Sequence, residues 1–132
     1  MKIGGTQIEA GVVKFALEYR KDLHADQGLC IQVVTEIDGK DVEVLRLDCF
    51  DQTPHYHYGP ENKNERLDMD KTTAGNPIGW TLQQLRNSLP AMVRRAGYED
   101  VAAKIDTGLV AKKLDELEPI AREMALTKRR TI

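Results

Sequence analysis

The dipeptide Asp38-Gly39 constrains the fold of this chain more than any other feature, because it stands between two segments rich in Val, Ile and Leu, Leu29 to Ile37 and Asp41 to Phe50. Asp and Gly tolerate the positive backbone torsions of a tight turn, so the two segments are predicted to pair as an antiparallel hairpin. One face of that hairpin collects Leu29, Ile31, Val33, Ile37, Val42, Val44 and Phe50. The other carries Cys30, Val34, Leu45, Leu47 and Cys49 among Gln32, Glu36, Asp41 and Glu43. Both faces are partly apolar, which calls for helices against one and partial cover on the other. If four residues close the turn so that Ile37 opposes Val42, Cys30 and Cys49 lie directly across from each other. They are then expected to be close but unbonded, as thiols in a cytoplasmic chain normally are.

The flanking segments extend the sheet and then change character. Val13, Phe15, Leu17 and Tyr19 alternate as in a strand, although Ile8, Val12, Phe15 and Tyr19 also fit a helical stripe; the strand is preferred because the hairpin offers it a neighbour. Pro54 and Gly59-Pro60 bracket His55 to Tyr58 and limit any strand there to an edge or a short piece. Glu65 to Asp70 alternates again, with residues 72 to 79 as a connection. Thr81 with Gln84 forms a capping box, and Trp80 on Leu85 a hydrophobic staple, opening a helix that uses Leu82, Leu85, Leu89, Met92, Val93 and Ala96 and stops at Gly97. Pro90 is expected to bend it, or Ser88 to cap a fresh helix. A final helix over residues 107 to 127 follows from Val110, Leu114, Leu117, Ala121, Met124 and Ala125, with an interruption or kink at Pro119. The expected fold is α+β: one domain over residues 1–132, sheet-rich over 1–70 and helical over 80–127, with a small antiparallel sheet packed against C-terminal helices.

Length and charge narrow the function classes. A chain of 132 residues is long enough to bury roughly two thirds of its unfolded surface in one core. No run of 18 apolar residues spans a membrane, and Met1-Lys2-Ile3-Gly4-Gly5 lacks the pattern of a secretory leader, so the expected compartment is the cytoplasm. The net charge of -2 is unevenly spread: residues 36 to 70 carry ten acidic and four basic side chains, residues 71 to 132 eleven basic and seven acidic. A chain-wide case for nucleic acid fails on that balance, leaving only a local basic surface at Arg94-Arg95, Lys112-Lys113 and Lys128-Arg129-Arg130, which solvated helix faces explain more simply. Dinucleotide, Walker, serine-hydrolase and His-Glu-x-x-His motifs are all absent.

Chemistry concentrates in Asp48-Cys49-Phe50-Asp51-Gln52-Thr53-Pro54-His55-Tyr56-His57-Tyr58, which holds two of the three histidines. On a strand, His55 and His57 project from one face and Tyr56 and Tyr58 from the other. The imidazoles supply two ligands to zinc or another divalent metal, with Asp48, Asp51, Glu61, Asp68 or Asp70 as the third; Asp68 is taken as the metal ligand and Asp51 as the catalytic partner of His55 and His57. Without a metal, the pair suits acid and base work near neutral pH. The bland alternative for the histidines is a rigid turn with structural hydrogen bonds. Tyr56 and Tyr58 are expected to pack on the core, with stacking on a ligand ring as the alternative if the strand is at an edge.

The succession of strand, hairpin, Asp-rich turn, histidine pair, loop and a helix opened by Thr81-Leu82-Gln83-Gln84-Leu85 resembles the layout of small TumE-like bacterial toxins and related uncharacterised families, over residues 12 to 96. That resemblance implies a small intracellular effector whose Asp51, His55 and His57 act on a nucleic-acid or nucleotide target. Two functions stay open. One is an accessory or binding subunit that forms a homo-oligomer, or docks on a protein partner, through its C-terminal helix. The other is a metal-assisted or acid/base hydrolase, a toxin-like nuclease, using Asp51, His55 and His57.

Overall fold

A computed structural model describes residues 2–23, 25–70 and 75–129. Six strands lie in chain order in one antiparallel sheet: β1 (Thr6–Ala10), β2 (Val13–Leu23), β3 (Asp26–Ile37), β4 (Lys40–Phe50), β5 (His55–Tyr58) and β6 (Glu65–Asp68). Among the described residues three helices follow: α1 (Pro77–Arg95), α2 (Glu99–Ala103) and α3 (Thr107–Lys128). Helix α1 packs on β4 and β5, α3 covers β1 to β3, and the two helices touch each other. The α+β expectation therefore holds. Of residues 12 to 20, all but the turn residue Val12 resolve as strand, since β2 pairs with β3 on one side and β1 on the other.

The central hairpin turns at Asp38-Gly39, both with positive φ (52° and 78°), as a two-residue loop of this kind requires. Its register differs from expectation. Ile37 pairs with Lys40 rather than Val42, and a bulge at Val44 shifts the ladder so that Cys30 pairs with Asp48 and Leu29 with Cys49. A one-residue offset moves a side chain to the other face. Cys30 and Cys49 consequently lie on opposite faces instead of across from each other, and both are free thiols. The same offset brings Leu45, Leu47 and Cys49 into the helix-facing core beside Leu29, Ile31 and Val33, while Phe50 falls outside that cluster.

That core continues through Val13, Phe15 and Leu17 of β2, then Leu85, Leu89, Leu114 and Leu117 of the helices. Tyr58 joins it and Tyr56 packs against it; the Tyr56 ring sits 5.4 Å from Trp80, and the Arg95 guanidinium lies 4.4 Å over Tyr58. The packing role expected of the tyrosines is the observed one. Helix α1 begins earlier than Thr81: Asn76 caps it through Ile78 and Gly79 N–H, with Pro77 in the first turn. Thr81 instead faces inward, its hydroxyl 3.4 Å from Cys49 Sγ. Neither Pro90 nor Pro119 divides its helix. Helix α1 ends at Gly97 (φ 99°), with Tyr98 N–H donating to Val93 and Gly97 N–H to Arg94, a Schellman closure. Of the stripe expected to seat a partner, Val110, Leu114, Leu117 and Ala121 are buried inside the molecule and Met124 is partly buried against the core. Among the described residues, no helix is long and apolar enough to cross a membrane.

Candidate metal centre

The face of the sheet turned away from the helices carries most of the buried polar side chains. Antiparallel register lines them up in two rows across the strands. Glu18, Cys30, Asp48, His55 and Asp68 form one row, and Ala16, Gln32, Arg46, His57 and Arg66 the next. Residues paired across a ladder share a face, so the two histidines and Asp48 converge by geometry alone. Their burial is deep: Asp48 is 2 % exposed, His57 8 % and His55 9 %.

His55 Nε2 lies 3.1 Å from Asp48 Oδ2, and His57 Nε2 lies 3.7 Å from the same oxygen. The other ring nitrogens are already engaged. His55 Nδ1 donates to the Thr53 carbonyl at 2.8 Å, and His57 Nδ1 donates to Asn64 Oδ1 at 2.9 Å. When the rings are neutral this leaves both Nε2 lone pairs aimed at the carboxylate. Asp48 Oδ1 is buried without a hydrogen-bond partner among the described residues. Arg46 reaches Asp48 Oδ2 and Glu43 Oε1, each at 3.3 Å, and Glu43 accepts from Gln32 at 2.7 Å. The network ends at the N-terminal segment, where Gln32 holds Gly4 N–H and the Lys2 carbonyl.

These neighbours set opposite proton affinities on the two histidines. The hydrogen bond to Asp48 raises His55 above its ordinary value. Burial, then the charge of Arg46, lowers His57. Burial alone would lift Asp48, but His55 and Arg46 outweigh it and hold the carboxyl below its usual range. Without a metal, the surroundings thus favour the charged form of His55 and the neutral form of His57 beside a carboxylate.

Local structure positions each member. Asp26 ties the β4–β5 turn by accepting from Gln27, Gln52 and Thr53 N–H groups, and Thr53 in turn orients His55. Asn64, with φ of 49°, ends the β5–β6 loop where it meets His57. Phe50 closes one side, its ring edge-on to His55 at 5.5 Å.

Of the residues singled out from sequence, His55 and His57 do share a face, with ring centroids 5.1 Å apart. Asp48, one of the carboxylates considered as third ligand, joins them; their ligand atoms all lie within 4.8 Å of one another. Asp68 stands opposite His55 in the ladder, but its carboxylate is exposed and pairs with Arg66 at 3.4 Å. Asp51 is not in the group either. It forms a two-pronged ion pair with Arg129, at 3.0 and 3.2 Å, beside a cleft of about 760 Å³ that neither histidine lines. Glu61 accepts from Glu43 N–H. Arg46, Asn64 and Asp26 were not singled out by sequence, because each acts through a register or loop closure that no local pattern announces.

A family model described as a domain of unknown function, DUF7700, matches residues 7–121. The chain belongs to the DUF7700 family. No curated protein and no solved structure matches it. The match to DUF7700 spans β2 to β6, all of β1 but Thr6, α1, α2 and most of α3, so the Asp48, His55 and His57 group lies wholly within the family domain. Nothing in these comparisons bears on the likeness to TumE-like toxins.

Proposed function

We propose that the protein binds one divalent transition metal, zinc foremost, through Asp48, His55 and His57. The observation that carries this is the convergence of two Nε2 atoms on one carboxylate oxygen, with both Nδ1 atoms fixed by outer acceptors. Neutral His57 has no proton to place between Nε2 and Asp48 Oδ2, so two lone pairs face each other across 3.7 Å in a buried setting. A cation there removes that mismatch. The two edges of 3.1 and 3.7 Å bracket the ~3.3 Å separation that tetrahedral zinc imposes on nitrogen and oxygen ligands. Imidazole with carboxylate suits zinc or a neighbouring transition ion better than magnesium or calcium. Outer-shell hydrogen bonds to ligand histidines are the usual companions of such sites.

Elemental analysis of untagged protein, grown with trace metals and desalted, is expected to give about one metal per chain. His57→Ala should lose the metal while retaining the fold by circular dichroism, whereas Asp68→Asn and Asp51→Asn should keep it. Metal-free preparations that also fail to take up zinc in a calorimetric titration would refute the proposal.

A second function is favoured by one contact. Arg46 already offsets Asp48 at 3.3 Å, so an Arg46, Asp48 and His55 cluster can hold itself together while the protein serves as a non-catalytic accessory subunit. In that case His57→Ala shows its cost in melting temperature alone, and no metal is recovered.

A further inference from the structure

Resting on the metal-binding reading, we propose that Cys30 is the fourth ligand and that the site is a closed structural zinc centre cross-linking β3, β4 and β5. Three features place the thiol there. Cys30 is Asp48's partner in the β3–β4 ladder, on the same face and fully buried. Beside it, Asp48 Oδ1 is enclosed with no nitrogen or oxygen donor, a cost that proteins rarely leave standing unless something binds, and the neighbouring Cys30 thiol is close enough to Asp48 to interact with it by charge and hydrogen bonding. No histidine or carboxylate of the group is more than 9 % exposed, so there is little room for the open, water-bearing position that a catalytic zinc keeps.

Charge decides between three ligands and four. Zinc with one carboxylate and two neutral imidazoles carries +1 into an interior that already holds the Arg46 guanidinium, shared between Glu43 and Asp48. A thiolate brings the centre to zero, removing the penalty of an uncompensated buried charge. Metal binding then forms a zinc–sulfur bond and releases the Cys30 Sγ proton to solvent, together with the Nε2 proton of His55 where that ring is charged. The sulfur stands outside the group of ligand atoms within 4.8 Å, so ligation turns Cys30 about χ1. Cys49 is no competitor, because its thiol faces α1, where it contacts Pro77 O and Thr81 Oγ1.

The test is cobalt(II) substitution into chelator-stripped full-length protein, backed by X-ray absorption of the zinc form. Expected are a four-coordinate cobalt spectrum with a sulfur-to-metal charge-transfer band, and a zinc–sulfur shell near ~2.3 Å. Cys30→Ser should abolish the band and weaken zinc binding by at least the ~10–100-fold that loss of an outer-shell partner costs, while Cys49→Ser keeps both. If Cys30→Ser does not fold, the wild-type absorption data decide by themselves. Cobalt bound in a His57-dependent manner with no sulfur signal overturns the role of Cys30 and leaves the three-ligand site intact. Failure to bind any metal removes both.

Discussion

His55 and His57 are two residues apart on one strand, yet their surroundings push them in opposite directions, and the pH dependence of the metal-free protein should expose this. His55 is raised by Asp48. Its contribution is therefore fully present below the unfolded value of about 6.5 and is lost as pH rises through its folded value. His57 is lowered by burial and Arg46, so its contribution is present above about 6.5 and is lost as pH falls through its folded value. Removing His55 should hence cost more stability at pH 5.5 than at 8.5, and removing His57 should cost less at acid than at alkaline pH. Urea denaturation of His55→Gln and His57→Gln at both pH values, with chelator present, checks the signs; parallel shifts would show that the two sites are electrostatically alike. The pairing of the histidines on one face was legible from their spacing alone. Their partner was not, because Asp48 faces His55 only after the β4–β5 turn has closed the ladder at that register.

At the scale of the element, the turn between β4 and β5 does the positioning. Three backbone N–H groups converge on the Asp26 carboxylate, and one of the residues so held, Thr53, orients His55. Asp26→Ala should destabilise the fold by about 1–3 kcal/mol, the cost of leaving such donors without their acceptor. It should also weaken zinc affinity by roughly tenfold, as loss of an outer-shell support does. Calorimetric titration paired with denaturation separates the two effects; unchanged affinity would mean that the turn keeps its shape without Asp26. The hairpin at Asp38-Gly39 was readable because its chemistry is local. The bulge at Val44 was not, and it reassigns the faces of the far half of β4, which is why the predicted cysteine juxtaposition failed.

For the whole molecule, the α3 stripe packs into the core. Leu114 and Leu117 are fully buried, whereas Leu126 on the same helix is 80 % exposed. Leu114→Ala should cost about 2–5 kcal/mol and Leu126→Ala no more than about 0.5 kcal/mol, as measured by chemical denaturation. Comparable small effects at both positions would mean that α3 is not docked on β1 to β3 in solution.

Periodicity and turn chemistry, both properties of neighbouring residues, were enough to determine from sequence that the chain is α+β, that a hairpin turns at Asp38-Gly39, that α1 stops at Gly97 and that His55 and His57 share a face opposite Tyr56 and Tyr58. Capping at the start of α1 escaped, because Asn76 and Thr81 are both competent N-caps and packing against Cys49 drew Thr81 into the interior. What only the tertiary structure decided is which carboxylate meets the histidines. Asp48, Asp51 and Asp68 all lie within a short stretch of chain, and side-chain chemistry does not rank them. Register placed Asp48 beneath the imidazoles, Arg129 drew Asp51 toward α3, and solvent with Arg66 kept Asp68 at the open edge. Those outcomes depend on contacts between residues far apart in sequence, whose energies exist only once the sheet has closed.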